Sequence, residues 1–417
     1  MKIGIVNTFD QIGGAAKASN RLCKGLVKNG EDAKMIVRTK QSDDMSILYD
    51  SGRLSRYRTA IINRIDELPL KLYPKRDNTI FSVGLVNSYS LKKHYKEFDV
   101  FNINWVAGAF QSIKSIANIP KPVVLTLHDS WAYTGGCHIP FDCEKFKSSC
   151  GSCPQLHSSK QNDLSSFLLQ KKKSLWKRDD MVIVGGSNWI ANNAKQSDIF
   201  KNHRIEVIHP GLDVNVYKPY NKSNVRKRFN LDIDAKIILF GAVNSTSDLN
   251  KGFHLLLPAL KRLAILCSGS NLHLIVFGAS LTNKPIDMAI PATYFGKIED
   301  EESLAALYAA ADVMVVPSIQ ESFGQTASES MACGTPVVAF NTSGLMDIVD
   351  HKINGFLANA FDSDDLADGI SWVISDSSRC SGLAKSAREK AVKEFDISIC
   401  VSRYLNLFTN LHQKNNY

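Results

Sequence analysis

The sequence predicts two doubly wound α/β domains in tandem, each a parallel sheet covered by helices. Three observations lead there. Apolar runs bounded by turn residues alternate with helical stretches along almost the whole chain, and unbroken runs of this kind are strands buried on both faces. The chain has 417 residues, more than one ordinary core accommodates. The alternation breaks at HPGLDVNVYKPYNKSNVRKRFNLDIDA (209–235), a polar, proline-bearing, charged stretch that reads as a boundary.

Each strand has its own run. In the first half these are KIGIVNT (2–8), AKMIVRT (33–39), VFNINW (100–105), VVLTLHD (123–129) and MVIVGGS (181–187). In the second half they are IILFGAV (237–243), HLIVFG (273–278), DVMVVPS (312–318) and PVVAFN (336–341). Helical periodicity is clearest in AAKASNRLCKGLVKNG (15–30), closing at a glycine cap, and in ESLAALYAAAD (302–312). The expected domains are therefore 1–209 and 210–395, with 396–417 a C-terminal helix packing back toward the first.

Composition narrows the function classes. Hydrophobic residues make up 44% and charged residues 22% of the chain, which is globular usage without low-complexity tracts. The opening strand argues against a cleavable signal peptide, and no apolar run approaches the roughly 18 residues of a membrane span. Cys23, Cys267, Cys333, Cys380 and Cys400 are scattered like small core fillers, so a reducing cytoplasm is expected. The formal charge of +9 gathers in the first half, at RLSRYRTAIINRIDELPLKLYPKR (53–76), KKHYK (92–96) and KKKSLWKR (171–178). Two readings stand open: a surface leaning on anionic lipid headgroups, peripheral on the plasma membrane, or solvated helix faces. Nucleic acid is disfavoured, because no binding motif accompanies the charge.

The chemistry gathers at ESFGQTASE (321–329). The strand before it delivers Glu321 to the carboxyl edge of the second sheet, where such folds bind ligands. Phe323 and Gly324 make a turn, and a short helix runs from about Gln325 to Cys333, stopped by Gly334 and Pro336. Unpaired N–H groups at its start suit an anion. Glu329, just over a turn in, reaches paired hydroxyls beside that anion, and Glu321 reaches hydroxyls beyond it. A molecule with sugar, diphosphate and ribose in a row fits this order; a loop glutamate and a solvated helix glutamate are the plain alternative. Gly13 and Gly14, after the first strand, let backbone approach a phosphate or sugar closely, and their pattern is not the GxGxxG dinucleotide fingerprint. Lys251, in the loop after the first strand of the second domain, offers a point charge for a diphosphate.

With these residues in hand, the chain resembles the retaining glycosyltransferases of family 4. Glu321-x7-Glu329, flanked by DVMVVPS and ACGTPVVAF, is similar to that family's signature. IHPGLDVNVYKP (208–219) resembles its interdomain segment, and Gly13-Gly14, Lys251-Gly252 and NGFLA (354–358) fall in the expected order. The resemblance implies the GT-B fold, two facing Rossmann-like domains with the donor held mainly by the second. It implies that Lys251 pairs the donor diphosphate, Glu321 contacts the transferred sugar and Glu329 holds the ribose. The backbone of Phe323, Gly324 and Gln325 would contact the sugar, with Thr326 near the phosphates and Gly13 and Gly14 closing on the diphosphate. His128 matches the family's strand-terminal histidine at the reaction centre; a hydrogen-bonded structural histidine is the alternative. The family's arginine after the second domain's first strand is missing, since Gly241 is followed by Ala242, so Asn244, Ser245 or another loop group substitutes or Lys251 carries more of the load. Base recognition is expected from backbone near Lys297 and Ile298.

HDSWAYTGGCHIPFDCEKFKSSCGSCPQL (128–156) resembles an insertion in the colanic-acid and exopolysaccharide subgroup. Cys137, Cys143, Cys150 and Cys153, spaced x5, x6 and x2 over 137–153, are candidate ligands of a structural zinc, with His138 able to replace one sulfur. Reduced buried thiols and a disulfide pair are the alternatives. The resemblance implies transfer of a hexose from a nucleotide-diphosphate sugar, with retention and without a catalytic metal, to a glycan acceptor on a polyprenyl-diphosphate carrier in surface polysaccharide synthesis. Rival readings are a sugar-nucleotide epimerase, a phosphorylase and a non-enzymatic zinc-bearing membrane or partner-binding module.

Overall fold

The computed structural model describes residues 1–241, 246–278 and 288–414. The chain separates into two compact units, one formed by Met1–His209 with the C-terminal segment from Cys400, the other by Pro210–Ile399.

Unit 1 carries strands β1 (Lys2–Phe9), β2 (Asp32–Thr39), β3 (Val100–Ile103), β4 (Val123–Leu127), β5 (Met181–Gly185) and β6 (Arg204–Val207). They form one sheet in the order β2-β1-β3-β4-β5-β6, parallel throughout. Unit 2 carries β7 (Lys236–Gly241), β8 (Leu272–Phe277), β9 (Ala292–Gly296), β10 (Val313–Val316), β11 (Val337–Phe340) and β12 (Gly355–Ala358). Its order is β12-β11-β10-β7-β8-β9, again parallel. The two-domain α/β expectation is met.

Strand β7 shows why the runs read as unbroken. Ile237 and Leu239 pack on one face with Tyr308, Ala327 and Met331, while Ile238 and Phe240 pack on the other with Leu256 and Leu260. Three strands had no expected counterpart: β6, β9 and β12. Each lies at a sheet edge, and two are only partly covered: Arg204 of β6 is exposed and all of β9 is half-buried, so neither shows a continuous apolar run. β12 opens on Gly355 and its Leu357 is only half-buried, so its apolar run is broken.

Topology positions the chemistry. Sheet order reverses between β1 and β3 in unit 1 and between β7 and β10 in unit 2, and a crevice opens where neighbouring strands send their connections to opposite faces. The loops after β1 and β3 carry Gly13, Gly14 and Asn104. Those after β7 and β10 carry Lys251 and Glu321. The helix Ile397–Lys414 joins unit 1 from Cys400 onward, with the Tyr404 hydroxyl 2.9 Å from Thr126 Oγ1 on β4.

Candidate functional site

In unit 2, two loops are stitched into one surface by Asn250. Its side chain donates to the Gln320 carbonyl at 2.8 Å and accepts from the Gln320 amide at 3.1 Å. Its own carbonyl accepts from Ile319 N–H at 2.9 Å. Asp248 caps the short turn Leu249–Lys251 by accepting from Asn250 N–H. Gly252 follows at φ 70°, so close to the neighbouring loop that an added Cβ would lie 1.7 Å from the Pro317 carbonyl oxygen. Only glycine fits both constraints.

This stitching places Lys251 Nζ 2.7 Å from Glu321 Oε1, with both side chains about a fifth exposed. Burial alone would lower the basicity of Lys251, but the Glu321 and Asp248 carboxylates outweigh it and hold the ammonium above its ordinary range. Glu321 is pinned through its backbone, its N–H donating to Ser343 Oγ and its carbonyl accepting from Gly344 N–H, both at 2.9 Å.

Beyond Glu321 the chain turns through Gly324, at φ 112°, into the helix Gln325–Ala332. That helix has no acidic residue in its first turn, so its own side chains do not neutralise the positive end of its dipole. The Phe323 ring is buried edge-on against Phe395 at 5.4 Å, which turns its side chain toward the core. Gln325 and Thr326 are half-buried at the helix start. Glu329 is buried, and its Oε2 accepts from the Tyr308 hydroxyl at 3.1 Å. Burial, and then the neighbouring Glu329, keep that phenol protonated. Lys297 is exposed and paired with Glu299 at 3.1 Å, while Ile298 packs on the unit 2 core. Asn244, Ala242 and Ser245 lie outside the described residues.

In unit 1, Gly13 begins the helix Gly13–Lys28 at φ 83°, and no atom lies within 4 Å of where its Cβ would be. Its constraint is conformation, and the space before it is open to a close approach. Gly14 follows in the first turn. His128 stands just past β4, its Nε2 2.9 Å from Asn104 Oδ1. Burial pushes its pKa down to about 4 against the opposing effect of Asp129, so the ring is neutral at pH 7. Asp129 accepts from Trp105 Nε1, His138 Nδ1 and Trp131 N–H at 2.6–2.8 Å. These bonds outweigh its burial and keep it ionised.

The four clustered cysteines are free thiols. Among the described residues, no three His, Cys, Asp or Glu side chains are grouped as a metal ion requires. This geometry does not draw the tetrahedral cage expected of Cys137, Cys143, Cys150 and Cys153, with or without His138. His138 is engaged on both ring nitrogens, by Asp129 at 2.6 Å and Ser82 Oγ at 2.8 Å. Near the thiols lies Lys172, part of KKKSLWKR, whose reading as a surface segment this buried residue corrects. This fully buried side chain donates to the Trp131 and Thr134 carbonyls and sits 4.1 Å over the Trp131 ring.

Burial brings the Lys172 ammonium down to about 7, against the pull of Cys137, Cys150 and Asp129. Unfolded, the amine titrates near about 10.4. Between those values the unfolded chain binds more protons, so this contribution to stability is fully present above the unfolded value and is lost as pH falls through about 7. Burial pushes the Cys137 and Cys150 thiols up to about 12, and they act oppositely once pH passes their unfolded value of about 8.5. The melting temperature should rise from pH 7 to 8.5 and level or fall above that, and Lys172→Met should abolish the rise. A wild-type melt that falls from pH 7 to 8.5 would contradict the assignment.

Asn250, Ser343, Asn104 and Asp129 are the site residues that sequence reading missed. One had a signal: Asn104, with Asn102, is an amide within the otherwise apolar VFNINW, which a buried strand tolerates only for a reason.

Comparison with known proteins bears on the family and the fold. Residues 12–216 match the family model described as Glycosyltransferase Family 4, and residues 221–390 the model described as Glycosyl transferases group 1. A D-inositol 3-phosphate glycosyltransferase of Streptosporangium roseum is 34% identical over 229 residues, covering 50% of this chain and 51% of that protein. One of Mycolicibacterium smegmatis is 35% identical over 176 residues, covering 41% and 40%. The chain thus spans about half the length of the curated relatives it matches. Among solved structures, sucrose-phosphate synthase from Thermosynechococcus elongatus superposes with a TM-score of 0.71 at 19% identity, over 99% of both chains. Anabaena HepE in complex with UDP-glucose gives 0.67 at 19% identity, over 98% of this chain and 100% of that one.

Proposed function

Because the chain belongs to the family 4 and group 1 glycosyltransferases and has their GT-B fold, we propose that it moves a hexose from a nucleotide-diphosphate sugar to a glycan acceptor, with retention of configuration. One observation carries the reading: an ammonium and a carboxylate 2.7 Å apart, beside a helix start with no acidic residue in its first turn, at the strand-order reversal of a parallel sheet. Negative charge grows on the departing diphosphate in such a transfer, and fixed cations and dipoles at that point lower the barrier. Lys251 and the amides at 324–326 are the groups that supply them. Glu321 orients hydroxyls of the transferred sugar, and Glu329 serves the ribose. In unit 1, Gly13 and Gly14 serve the diphosphate and His128 the sugar.

The test is a donor panel headed by UDP-glucose, which HepE binds in its solved complex. Thermal shift and slow donor hydrolysis are measured without acceptor, then transfer with it. A transferase is stabilised by one donor and turns over mainly when acceptor is added. Interconversion of the donor without acceptor would instead mark an epimerase, and no response to any donor would overturn the reading.

We further propose that the acceptor is carried on a polyprenyl diphosphate in surface polysaccharide synthesis, at an anionic membrane. The helix Arg53–Glu67 and the turn Leu68–Leu72 support this. Asp66 ties one face of the helix down by accepting from the amides of Gly84, Leu85 and Val86. Leu54, Tyr57, Ile61, Ile65, Leu68 and Leu72 recur at helical spacing on another face and are exposed, Leu54 by 86% and Leu72 by 79%. Arg58 and Lys71 stand in the same segment. An apolar stripe with basic neighbours suits an interface of acyl chains and acidic headgroups. No helix among the described residues is long and apolar enough to cross a membrane. Each large apolar side chain buried is worth about 1.5–3 kcal/mol, so Ile61→Glu with Leu72→Glu should weaken binding to phosphatidylglycerol vesicles at least about tenfold. Unchanged sedimentation would leave only a solvated face. The acceptor panel includes inositol phosphate, which the names of the curated relatives recommend.

A further inference from the structure

The helix Arg53–Glu67, the segment 84–95 before β3 and the short helix Ile113–Ala117 after it do not close on one another. They leave a cavity of about 520 Å³, within the range of about 300–1,000 Å³ usual for small-molecule sites. It lies in unit 1 and shares no residue with the site at the strand ends. Its walls are fixed by hydrogen bonds. Asp66 accepts from the amides of Gly84, Leu85 and Val86. Ile113 N–H donates to the Gly84 carbonyl at 2.9 Å, and Ser112 Oγ donates to Asn87 Oδ1 at 3.3 Å. The lining is largely apolar, with Ile62, Ile65, Leu85 and Val86 contributing to it. Lys92 and Lys114 also line it, and both are exposed. Among the described residues neither ammonium has a carboxylate partner, and the nearby Asp66 is spent on the three amides.

An apolar chamber with two unpaired ammonium groups is complementary to an amphiphile with an acidic head. A free phosphate would leave the apolar walls wet, and a neutral lipid would leave the ammonium groups unused. Continuity selects the source. Ile65, 46% exposed, lines the cavity and also belongs to the exposed stripe from Leu54 to Leu72. We propose that this cavity takes a single anionic phospholipid, an acyl chain against Ile62, Ile65, Leu85 and Val86 and the phosphate at Lys92 and Lys114. This rests on the reading of the stripe as a membrane face, and it adds the place where the lipid is selected. Burial of the stripe is non-directional and accepts any bilayer, whereas the cavity distinguishes a head of net negative charge from a neutral one.

The test uses the full chain and lipids too short to form a bilayer, which separates the cavity from the membrane face. By calorimetry, monomeric dihexanoylphosphatidylglycerol should bind saturably, one molecule per chain. It should bind at least about tenfold tighter than dihexanoylphosphatidylcholine, which has the tails without net charge. The same margin is expected over glycerol 3-phosphate, which has the charge without tails. Val86→Trp, which fills the cavity, should abolish binding, and Lys92→Ala with Lys114→Ala should weaken it at least about tenfold. Both lysines are exposed, so their double variant should melt like wild type and decides the case should the tryptophan variant not fold. Equal binding of glycerol 3-phosphate would reduce the site to a surface anion site, and equal binding of phosphatidylcholine to an unselective apolar groove. Wild-type affinity in either variant would place the lipid elsewhere. Each of these outcomes overturns the proposal. Ile61→Glu with Leu72→Glu should leave the short-chain lipid bound within about threefold, because neither side chain lines the cavity. Short-chain lipid bound as described, with vesicles ignored, would mean that the membrane-face reading had failed and not this one. Vesicles bound through the stripe, with no short-chain lipid taken up, would refute this one alone.

Discussion

Lys251→Ala is expected to lower kcat for glycosyl transfer by about 100- to 1,000-fold while the protein stays folded, the range seen when a preorganised charge is removed from a transition state. The ammonium lies 2.7 Å from Glu321 and is held charged by it and by Asp248 against the effect of burial. In the proposed transfer a departing diphosphate gains negative charge, and this fixed ammonium is the group proposed to meet it. Glu321→Ala should cost a similar factor, since it frees the ammonium from its oriented position and removes the carboxylate proposed to orient the sugar hydroxyls. The pair acts as a unit, so the double variant should be little slower than either single one. Both side chains retain some exposure, and the melting temperature should move by only a few degrees. Near-normal turnover in either single variant would remove this pair from the chemistry.

Gly252→Ala should be the most damaging substitution for stability at the site. Its φ of 70° already costs a non-glycine residue about 1–3 kcal/mol, and the new methyl would overlap the Pro317 carbonyl at 1.7 Å. No flexible side chain can yield there, because the obstacle is backbone. A total cost above about 3 kcal/mol is expected, seen in thermal or urea unfolding as a fall of about 6–12 °C for a unit of this size. The loop must part from Pro317 to make room, which shifts Lys251 and should also reduce donor binding. An alanine variant with wild-type melting and activity would show that the close approach is not required.

How legible these parts were depends on burial. Central strands were visible because both faces are covered, as Ile237–Phe240 demonstrate. The edge strands β6, β9 and β12 were not, since a strand that is partly exposed or opens on glycine loses the continuous apolar signal. Lys251, Glu321 and the start of Gln325–Ala332 could be placed on loops and a helix because strands and glycines punctuate the sequence around them. The thiols at 137–153 were less legible. Spacing along the chain gives the reach of four sulfurs but not their directions, and among the described residues no three possible ligands are grouped as a metal requires.

The order of apolar runs and turn residues determined, unaided, two parallel α/β units and the strand ends where their polar residues cluster, because burial on both faces writes itself locally into composition. Strand order, the contact between Lys251 and Glu321 across 70 positions, and the pairing of His128 with Asn104 were decided only by tertiary structure. They depend on which strands lie side by side and on the direction each buried hydrogen bond takes, and neither is a property of any one stretch of chain.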